Sequence, residues 1–143
     1  MSHWTETHRA VVHPWLCDVL GHMNVRWYAH LFDDAEFHLW SSIGLSHATL
    51  KSRGIVTVIA NTNTNFLHEA VVGELLTIES AFTKIGKKSL SMSQRMKNSE
   101  NDILIATQEV VGVFFNFKSR KAAPMPDDIR AKLETVLISP KSQ

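Results

Sequence analysis

The stretch of sequence that decides the fold runs from residue 13 to residue 44 and reads HPWLCDVLGHMN followed by VRWYAHLFDDAEFHLWSSIG. Its first part is irregular and contains Gly21 as a turn residue. From Val25 onward, apolar residues recur at the spacing of a helix packed on a core; they are Tyr28, Leu31, Phe32, Ala35 and Leu39. Asn24 stands at the N-cap position, and Gly44 is the expected stop. The stretch therefore predicts a polar loop that leads directly into one long amphipathic helix.

The face of this helix opposite the apolar stripe is not simply polar. It carries Phe37 and Trp40 beside His30 and Asp33. Because a helix with aromatic residues on its back side needs cover there too, we expect a sheet or a second subunit against that face.

Strand patterns lie on both sides of the helix. A first strand is predicted over residues 5–13, and four more follow over residues 55–66, 74–84, 89–97 and 103–117, with consecutive strands in hairpins. In the last strand the residues in phase are Ile105, Val111, Val113, Phe115 and Phe117. A short helix is predicted from Pro126 to about residue 137. This order predicts an α+β fold in which a curved, mainly antiparallel five-stranded sheet wraps a long central helix.

Length and composition exclude several classes of protein. The 143 residues are 44% hydrophobic and 20% charged, which predicts one globular domain over residues 1–143. The 15 basic and 14 acidic residues leave a charge of +1, so nucleic acid is not an expected partner. The single Cys17 excludes an intrachain disulfide. With no apolar run near the ~18 residues of a membrane span and no secretory pattern at residues 1–6, we expect a cytoplasmic protein without a membrane partner.

The residues that carry chemistry are concentrated in the loop before the helix. Asp18, His22 and Asn24 supply a carboxylate, an imidazole and an amide close to the helix N-terminus, where unpaired N–H groups and a partial positive charge suit an oxyanion. Asp18 can attack a carbonyl or activate water, and first-turn amides around Val25 can hold the oxyanion, as acyl transfer requires. The structural alternative is an Asx-turn at Asp18, a positive φ at Gly21 and simple helix capping by Asn24.

These residues resemble the signature of a known family, the 4-hydroxybenzoyl-CoA thioesterases of the hotdog fold. The resemblance extends from about residue 6 to about residue 135. It is carried by Asp18-x-x-Gly21-His22-x-Asn24, Tyr28, Phe32-Asp33-x-Ala35, Arg53-Gly54-Ile55-Val56 and Asn63-x-x-Phe66. The motif identifies the superfamily well and the substrate poorly.

The resemblance implies an enzyme, an acyl-CoA thioesterase that hydrolyses an acyl-CoA thioester to the free acid and coenzyme A. It implies no metal and no redox cofactor, because coenzyme A enters as part of the substrate. It also implies a homodimer or a dimer of dimers.

The resemblance implies roles for several residues. The family's catalytic carboxylate corresponds to Asp18, and its carbonyl-polarising backbone amide corresponds to Val25. Related branches carry histidine or tyrosine at the Val25 position, so no side-chain role is expected there. His22 and Asn24 correspond to loop residues that take part in the site of some acyl thioesterases. The substrate-binding candidates from the motif are Gly21, Tyr28 and Asn63.

Basic residues around a predicted turn are a further candidate. Lys87 and Lys88 lie with Lys84 and Arg95 around Gly86, and they can hold the phosphates of coenzyme A. The ordinary alternative is a hairpin edge protected by solvated lysines, which applies equally to Lys118, Arg120 and Lys121.

Metal and cysteine chemistry are disfavoured by spacing and context. His30, Asp34 and His38 recur every four residues, which spreads them over ~12 Å of helix, too far for all three to hold one ion. The adjacent pairs His30/Asp34 and Asp34/His38 stay open as ligand pairs, although solvated helix pairs are far commoner. Cys17 is a nucleophile only with a base such as His22, and a small buried apolar residue is the alternative. The tryptophans at positions 15, 27 and 40 can line an acyl pocket, but they equally suit a core or an interface.

A function of a different class stays open at this point. A non-catalytic hotdog module that binds acyl-CoA as a sensor or scaffold would bind the thioester tightly without releasing a thiol. A hotdog dehydratase is disfavoured because the expected histidine-plus-acid helix motif is not evident in the sequence. Fold alone does not choose among these functions.

Overall fold

The computed structural model describes residues 4–138, so the two ends of the predicted 1–143 domain lie outside the described residues. The elements in chain order are β1 Thr5–Val11, a 3-10 turn Pro14–Leu16, α1 Val25–Ser42, α2 His47–Ser52, β2 Ile55–Phe66, β3 Leu75–Ile85, β4 Ser89–Asn98, β5 Leu104–Asn116, β6 Lys121–Ala122 and α3 Asp127–Glu134. The α+β class is confirmed. No helix in this part of the chain combines the length and the apolarity needed to cross a membrane.

The strands form one antiparallel sheet in the order β1-β3-β4-β5-β2, with the two-residue β6 paired to β5. The sheet of the described residues therefore has six strands, one more than the five predicted, and the additional strand is β6. The expected hairpin between β2 and β3 is wrong, because β2 pairs with β5 and residues 67–74 carry the chain across the sheet. The Asn/Thr-rich sequence of β2 explains its place, since mostly exposed polar residues suit an edge strand and not a buried central one.

The helix α1 packs on β1 and β3 through its predicted stripe. Every residue of that stripe is buried. One buried cluster surrounds the first half of α1, with Met23, Tyr28 and Ile78, and a second surrounds its end, with Leu39 and Phe114. Burial of these apolar side chains stabilises the packing of the helix on the sheet.

A chain of buried hydrogen bonds fixes the position of α1 on the sheet. The Thr7 and Ser80 hydroxyls are 2.8 Å apart, and Ser80 donates to Gln94 Oε1 at 2.6 Å. Gln94 Nε2 in turn donates to the backbone carbonyl of Phe32 at 2.9 Å. Because an unpaired buried polar group is costly, this chain penalises any slip of the helix along the sheet.

The predicted phase of β5 is correct only for its second half. Residues Val111, Val113 and Phe115 share a half-exposed face, whereas Ala106 and Val110 lie on the buried face. Ile105 is buried as well. The pairing of β4 with β5 shifts its register between Met96 and Lys97, and this irregularity turns both Ile105 and Ala106 inward.

The ends and the back face of α1 agree in part with expectation. Asn24 Oδ1 accepts from Arg26 N at 3.2 Å, and Gly44 adopts a φ of 78° just after the helix end. Trp40 is covered by the chain's own Phe82 and Phe114, but Phe37 is 52% exposed. The helix α2 was not predicted. The C-terminal helix ends at Glu134, before the predicted end.

Candidate active site

The loop that precedes α1 is held by backbone hydrogen bonds to the connection 67–74 and to the 3-10 turn. Met23 N donates to Ala70 O at 2.8 Å, and Asn24 N donates to Leu16 O at 2.8 Å. Within the loop, Gly21 N donates to Asp18 O at 3.0 Å, and Gly21 has a φ of 81°. Since side-chain-bearing residues rarely adopt that φ, glycine is what allows this tight turn. The loop therefore holds Asp18 in a fixed place beside the first residues of α1.

The Asp18 carboxylate accepts two hydrogen bonds from its own loop. Oδ1 accepts from Leu20 N at 2.9 Å, and Oδ2 accepts from Asn24 Nδ2 at 3.2 Å. The Leu20 bond is the main reason that the pKa of Asp18 lies below its usual value, with a smaller contribution from Asn24. The Asx-turn, the positive φ and the helix cap named as the structural alternative are all present. The same bonds also keep the carboxylate ionised and oriented.

The backbone N–H of Val25 is the open donor at the start of α1. The next two backbone N–H groups already have an acceptor in the cap residue Asn24. The Asn24 side chain accepts from Arg26 N, and the Asn24 carbonyl accepts from Trp27 N. Among residues 4–138 the hydrogen bonds include none donated by Val25 N, and the residue is 60% exposed. An N–H that has no protein acceptor at a helix N-terminus is suited to an incoming oxyanion.

Asp18 and Val25 line one cavity of ≈380 Å³. Its other lining residues are His22, Met23, Tyr28, Phe66, Leu67, His68 and Glu69. Tyr28 and Phe66 meet edge to face with ring centroids 4.9 Å apart, and they form its apolar wall. Burial raises the pKa of Tyr28, so its hydroxyl stays neutral. The cavity joins a carboxylate and an N–H donor to an apolar wall.

His22 is held by a residue that the sequence did not single out. Its Nε2 lies 3.1 Å from Oε2 of Glu69, and its backbone bridges to Val71. The segment 67–69 follows β2, far from the loop in sequence, and no spacing motif links it to the loop. Only the sheet connection brings them together, so sequence reasoning missed His68 and Glu69.

The other candidates from the sequence lie elsewhere. Asn63 is exposed on β2 opposite Glu109 and does not line the Asp18 cavity. Lys87 and Lys88 are in the turn between β3 and β4, whereas the Asp18 loop follows the strand β1 that pairs with the beginning of β3. In one chain the lysines and Asp18 are therefore at opposite ends of β3.

The cysteine and the helix histidines also lie outside that cavity. Cys17 donates through sulfur to His13 O at 3.8 Å. His30 Nε2 is 3.4 Å from Asp34 Oδ2, while His38 lies against His8. Within the described part of the chain, no group of three histidine, cysteine or acidic side chains is placed to hold a metal ion.

Comparison with known proteins gives consistent matches. Residues 12–133 match the model of the thioesterase-like superfamily. The long-chain acyl-CoA thioesterase FadM of Escherichia coli is 27% identical over 122 residues, which are 84% of this chain and 90% of that protein. The L-carnitine dehydrogenase/betainyl-CoA thioesterase of Rhizobium meliloti is 27% identical over 119 residues, 83% of this chain but only 24% of that protein.

A solved structure shows the same architecture. YbaW, a probable thioesterase from Escherichia coli, superimposes with a TM-score of 0.80 at 25% identity, covering 94% of this chain and all of that one. The predicted hotdog fold is thereby confirmed.

Proposed function

This chain belongs to the thioesterase-like superfamily, and from that premise we propose that it is an acyl-CoA thioesterase whose active site is the Asp18 loop. One observation carries the assignment to this loop. An ionised carboxylate and the open N–H of Val25 line the same cavity, next to an apolar wall. A nucleophile or base, an oxyanion donor and room for an acyl group are the parts that thioester hydrolysis requires.

In the proposed reaction the thioester carbonyl lies between Asp18 and Val25 N–H. Asp18 either attacks the carbonyl carbon, giving a mixed anhydride that water hydrolyses, or removes a proton from the water that attacks. In both routes the carbonyl oxygen gains negative charge and accepts from Val25 N–H, and the C–S bond breaks to release coenzyme A as a thiolate. A thiol with a pKa near ~8.5 leaves readily as a thiolate, so no general acid is required.

An isotope experiment can identify the nucleophilic route. After a single turnover in ¹⁸O-water, the label appears in the Asp18 carboxyl group only if an anhydride forms and water cleaves it at the aspartyl carbon. Labelling of Asp18 therefore identifies the nucleophilic route. Label confined to the product acid is expected both for general-base attack by water and for an anhydride that water cleaves at the acyl carbon.

The acyl group is proposed only as a class. The two relatives named above act, by their names, on long-chain acyl-CoA and on betainyl-CoA, which share the coenzyme A thioester and differ in the acyl part. The finer assignment to the 4-hydroxybenzoyl-CoA branch rests on the sequence resemblance, of which Asp18-x-x-Gly21-His22-x-Asn24 is the main motif. His22 and Asn24 are proposed to position Asp18, and neither a metal nor a redox cofactor takes part in the proposed reaction.

We propose that a second copy completes the site. Apolar side chains are exposed beside the cavity, among them Val19, Leu20 and Leu67, and the edge strand β2 exposes Val58 and Ile59. Exposed apolar surface next to an open sheet edge is suited to an interface. Light scattering coupled to gel filtration measures the assembly, and a monomer at micromolar concentration would exclude the proposed homodimer or dimer of dimers.

The experiment that tests the function is thiol release from a panel of aryl, short-chain and long-chain acyl-CoA thioesters, followed with a chromogenic thiol reagent. We expect hydrolysis of at least one class. Stoichiometric binding of acyl-CoA with no thiol release would support the sensor or scaffold function instead.

A double Lys87→Gln/Lys88→Gln variant in the same assay tests whether these two lysines hold the phosphates of coenzyme A. If they hold phosphates, KM rises for the coenzyme A thioester and not for the corresponding acyl-pantetheine.

A further inference from the structure

Tyr28 brings a phenol hydroxyl to the cavity that contains Asp18. It lies on α1, one turn after Val25, and both residues line that cavity. Only 5% of Tyr28 is exposed, and its ring is held edge to face against Phe66 with the centroids 4.9 Å apart. Long side chains on a helix point back toward its N-terminus, so the ring extends toward the first turn, where the N–H of Val25 is open. Two different hydrogen-bond donors therefore border one cavity.

The Tyr28 hydroxyl has no partner in the described part of the chain. Within residues 4–138 it makes no hydrogen bond. It is not sealed in the core either, because the one fully buried side-chain polar atom without a partner among these residues is Trp40 Nε1. Since the hydroxyl of a buried tyrosine normally finds an acceptor, an open one at the edge of a cavity is available to a ligand.

The two carboxylates that influence this hydroxyl already have other donors. Glu69 and Glu74 act on the phenol through their charge, without a hydrogen bond to it. Glu74 Oε1 accepts from Val71 N and Oε2 accepts from Asn98 Nδ2, both at 2.7 Å. Glu69 Oε2 lies 3.1 Å from His22 Nε2. The hydroxyl is therefore left for an acceptor that enters the cavity.

The same surroundings keep the hydroxyl protonated. Burial is the main reason that the pKa of Tyr28 lies above its usual value, and the charges of Glu74 and Glu69 raise it further. A protonated phenol donates to an oxyanion, whereas a phenolate would repel it. Near neutral pH the group is therefore a donor with a fixed position and no charge.

We propose that the Tyr28 hydroxyl is a second oxyanion donor, a role that rests on the thioesterase function proposed above. As Asp18 or its water attacks the thioester carbonyl, the carbonyl oxygen gains a negative charge and accepts from Val25 N–H and from Tyr28 O–H. When the tetrahedral intermediate collapses, the C=O double bond re-forms, the C–S bond breaks and coenzyme A leaves as a thiolate. The phenol keeps its proton throughout, so it acts by hydrogen bonding alone.

Two other roles fit these surroundings less well. A general acid is not needed for a thiol with a pKa near ~8.5, and proton transfer to its thiolate from a phenol, with a usual pKa near ~10, is uphill. A purely structural hydroxyl would have an acceptor in the protein, and the residues from 4 to 138 supply none.

Tyr28→Phe tests the role, because it removes the O–H and keeps the ring against Phe66. We expect kcat for the best acyl-CoA substrate to fall about 10²-fold, with KM changed less than about threefold, since an oxyanion donor acts mainly in the transition state. Phe66→Leu is the matched control, because it disturbs the same ring pair and leaves both donors in place. It should act mainly on KM.

A second measurement separates a hydrogen bond from a packing effect and needs no turnover. Tyr28 is the only tyrosine of the chain, so tyrosine labelled with ¹³C at Cζ gives one NMR signal, which reports on hydrogen bonding by the hydroxyl. Two unreactive ligands are compared at neutral pH. One is the ketone analogue of an acyl-CoA, with a methylene group in place of sulfur, and the other is the S-alkyl-CoA thioether of the same chain length, which lacks the carbonyl. The ketone should shift the signal more than the thioether.

The outcomes distinguish this role from the function on which it rests. Full kcat in Tyr28→Phe, an equal loss of kcat in Phe66→Leu, or the same shift, including none, with both ligands would overturn the oxyanion role and leave the thioesterase function standing. If the wild type hydrolyses no thioester, the thioesterase proposal fails, and the oxyanion role fails with it whatever the NMR signal shows. If Tyr28→Phe does not fold, the two ligands on the wild-type protein still decide the role.

Discussion

Two carboxyl groups near opposite ends of α1 have opposite environments. Asp18, just before the helix, accepts from a backbone N–H and from a side-chain amide, and its pKa lies below the usual value. Glu36, late in the helix, is buried, and this burial raises its pKa to about 7, while the nearby Trp40 indole N–H lowers it only slightly. Near neutral pH the carboxyl group of Asp18 is thus ionised, whereas that of Glu36 is close to the midpoint of its titration.

The difference follows from where each group sits on the helix. Before the first turn, backbone N–H groups are free of helical partners and can bind a carboxylate, as Leu20 N does for Asp18. In the helix interior every N–H is already bonded to a carbonyl four residues earlier, so Glu36 depends on side chains or a ligand. The loop before the helix provides Asp18 with its donors, whereas the backbone of the helix has none to offer Glu36.

The largest effect on activity is expected from removing the charge of Asp18, the carboxylate that accepts two hydrogen bonds. Asp18→Asn keeps an acceptor for Leu20 N but loses the carboxylate that attacks or activates water. We expect kcat/KM for the best acyl-CoA substrate to fall by about 10²–10⁴. Steady-state thiol release measures it.

Asp128→Asn is the matched control. Asp128 is also an exposed aspartate whose pKa is lowered, in its case chiefly by hydrogen bonds from Arg53 at 2.8 Å. It lies on α3 and outside the Asp18 cavity, so its variant should keep full activity. Equal losses in both variants would mean that the Asp18 effect is structural. Full activity in Asp18→Asn would remove that residue from the mechanism.

The second-largest effect is expected on protein stability and comes from the carboxyl group of Glu36. Because the pKa of Glu36 in the folded state is raised above its unfolded value, its neutral form contributes stability that is complete below pH ~4.5 and is lost as the pH rises through about 7. Glu36→Gln stays neutral at every pH. At about pH 8 it should therefore raise the free energy of unfolding, by at most about 3 kcal/mol, and near pH ~4 it should have no effect.

Urea unfolding at the two pH values measures this difference. A Glu36→Gln variant that is less stable than the wild type at about pH 8 would show that the carboxylate has a favourable partner. In that case Glu36, like Asp18, would have its ionised form stabilised in the folded protein, and the two carboxyl groups would not differ in this respect.

The comparison also shows what sequence can and cannot provide. The stripe on α1 and the Asn24 cap follow from local spacing, and the structure has both where they were predicted. The partner of β2 and the contact between His22 and Glu69 depend on which strands meet, and no local pattern encodes that. The burial of Glu36 was missed for the same reason, because its back-face position on α1 becomes interior only once α2 and β2 cover it.

A smaller effect should come from weakening one donor of Asp18. Asn24→Ala removes both the helix cap and the hydrogen bond to Asp18 Oδ2. We expect about 1 kcal/mol less stability from the lost cap. The pKa of Asp18 should also rise, so the acid limb of the kcat/KM profile should move to higher pH.

Ser46→Ala separates the two consequences. Ser46 caps α2 by accepting from Thr49 N at 3.2 Å, and it lies outside the Asp18 cavity. It should lose comparable stability with an unchanged pH profile. If the two variants have the same pH profile, the Asn24 amide does not tune Asp18.

The smallest effect should come from Glu69, whose carboxylate has a side-chain partner in solvent. It lies 3.1 Å from His22 Nε2, but its side chain is 66% exposed. Water already solvates both groups, so the pair gains little beyond what each has alone. Glu69→Gln should change the free energy of unfolding by less than about 0.5 kcal/mol at neutral pH. A loss above about 1 kcal/mol would mean that solvent exposure does not weaken this pair.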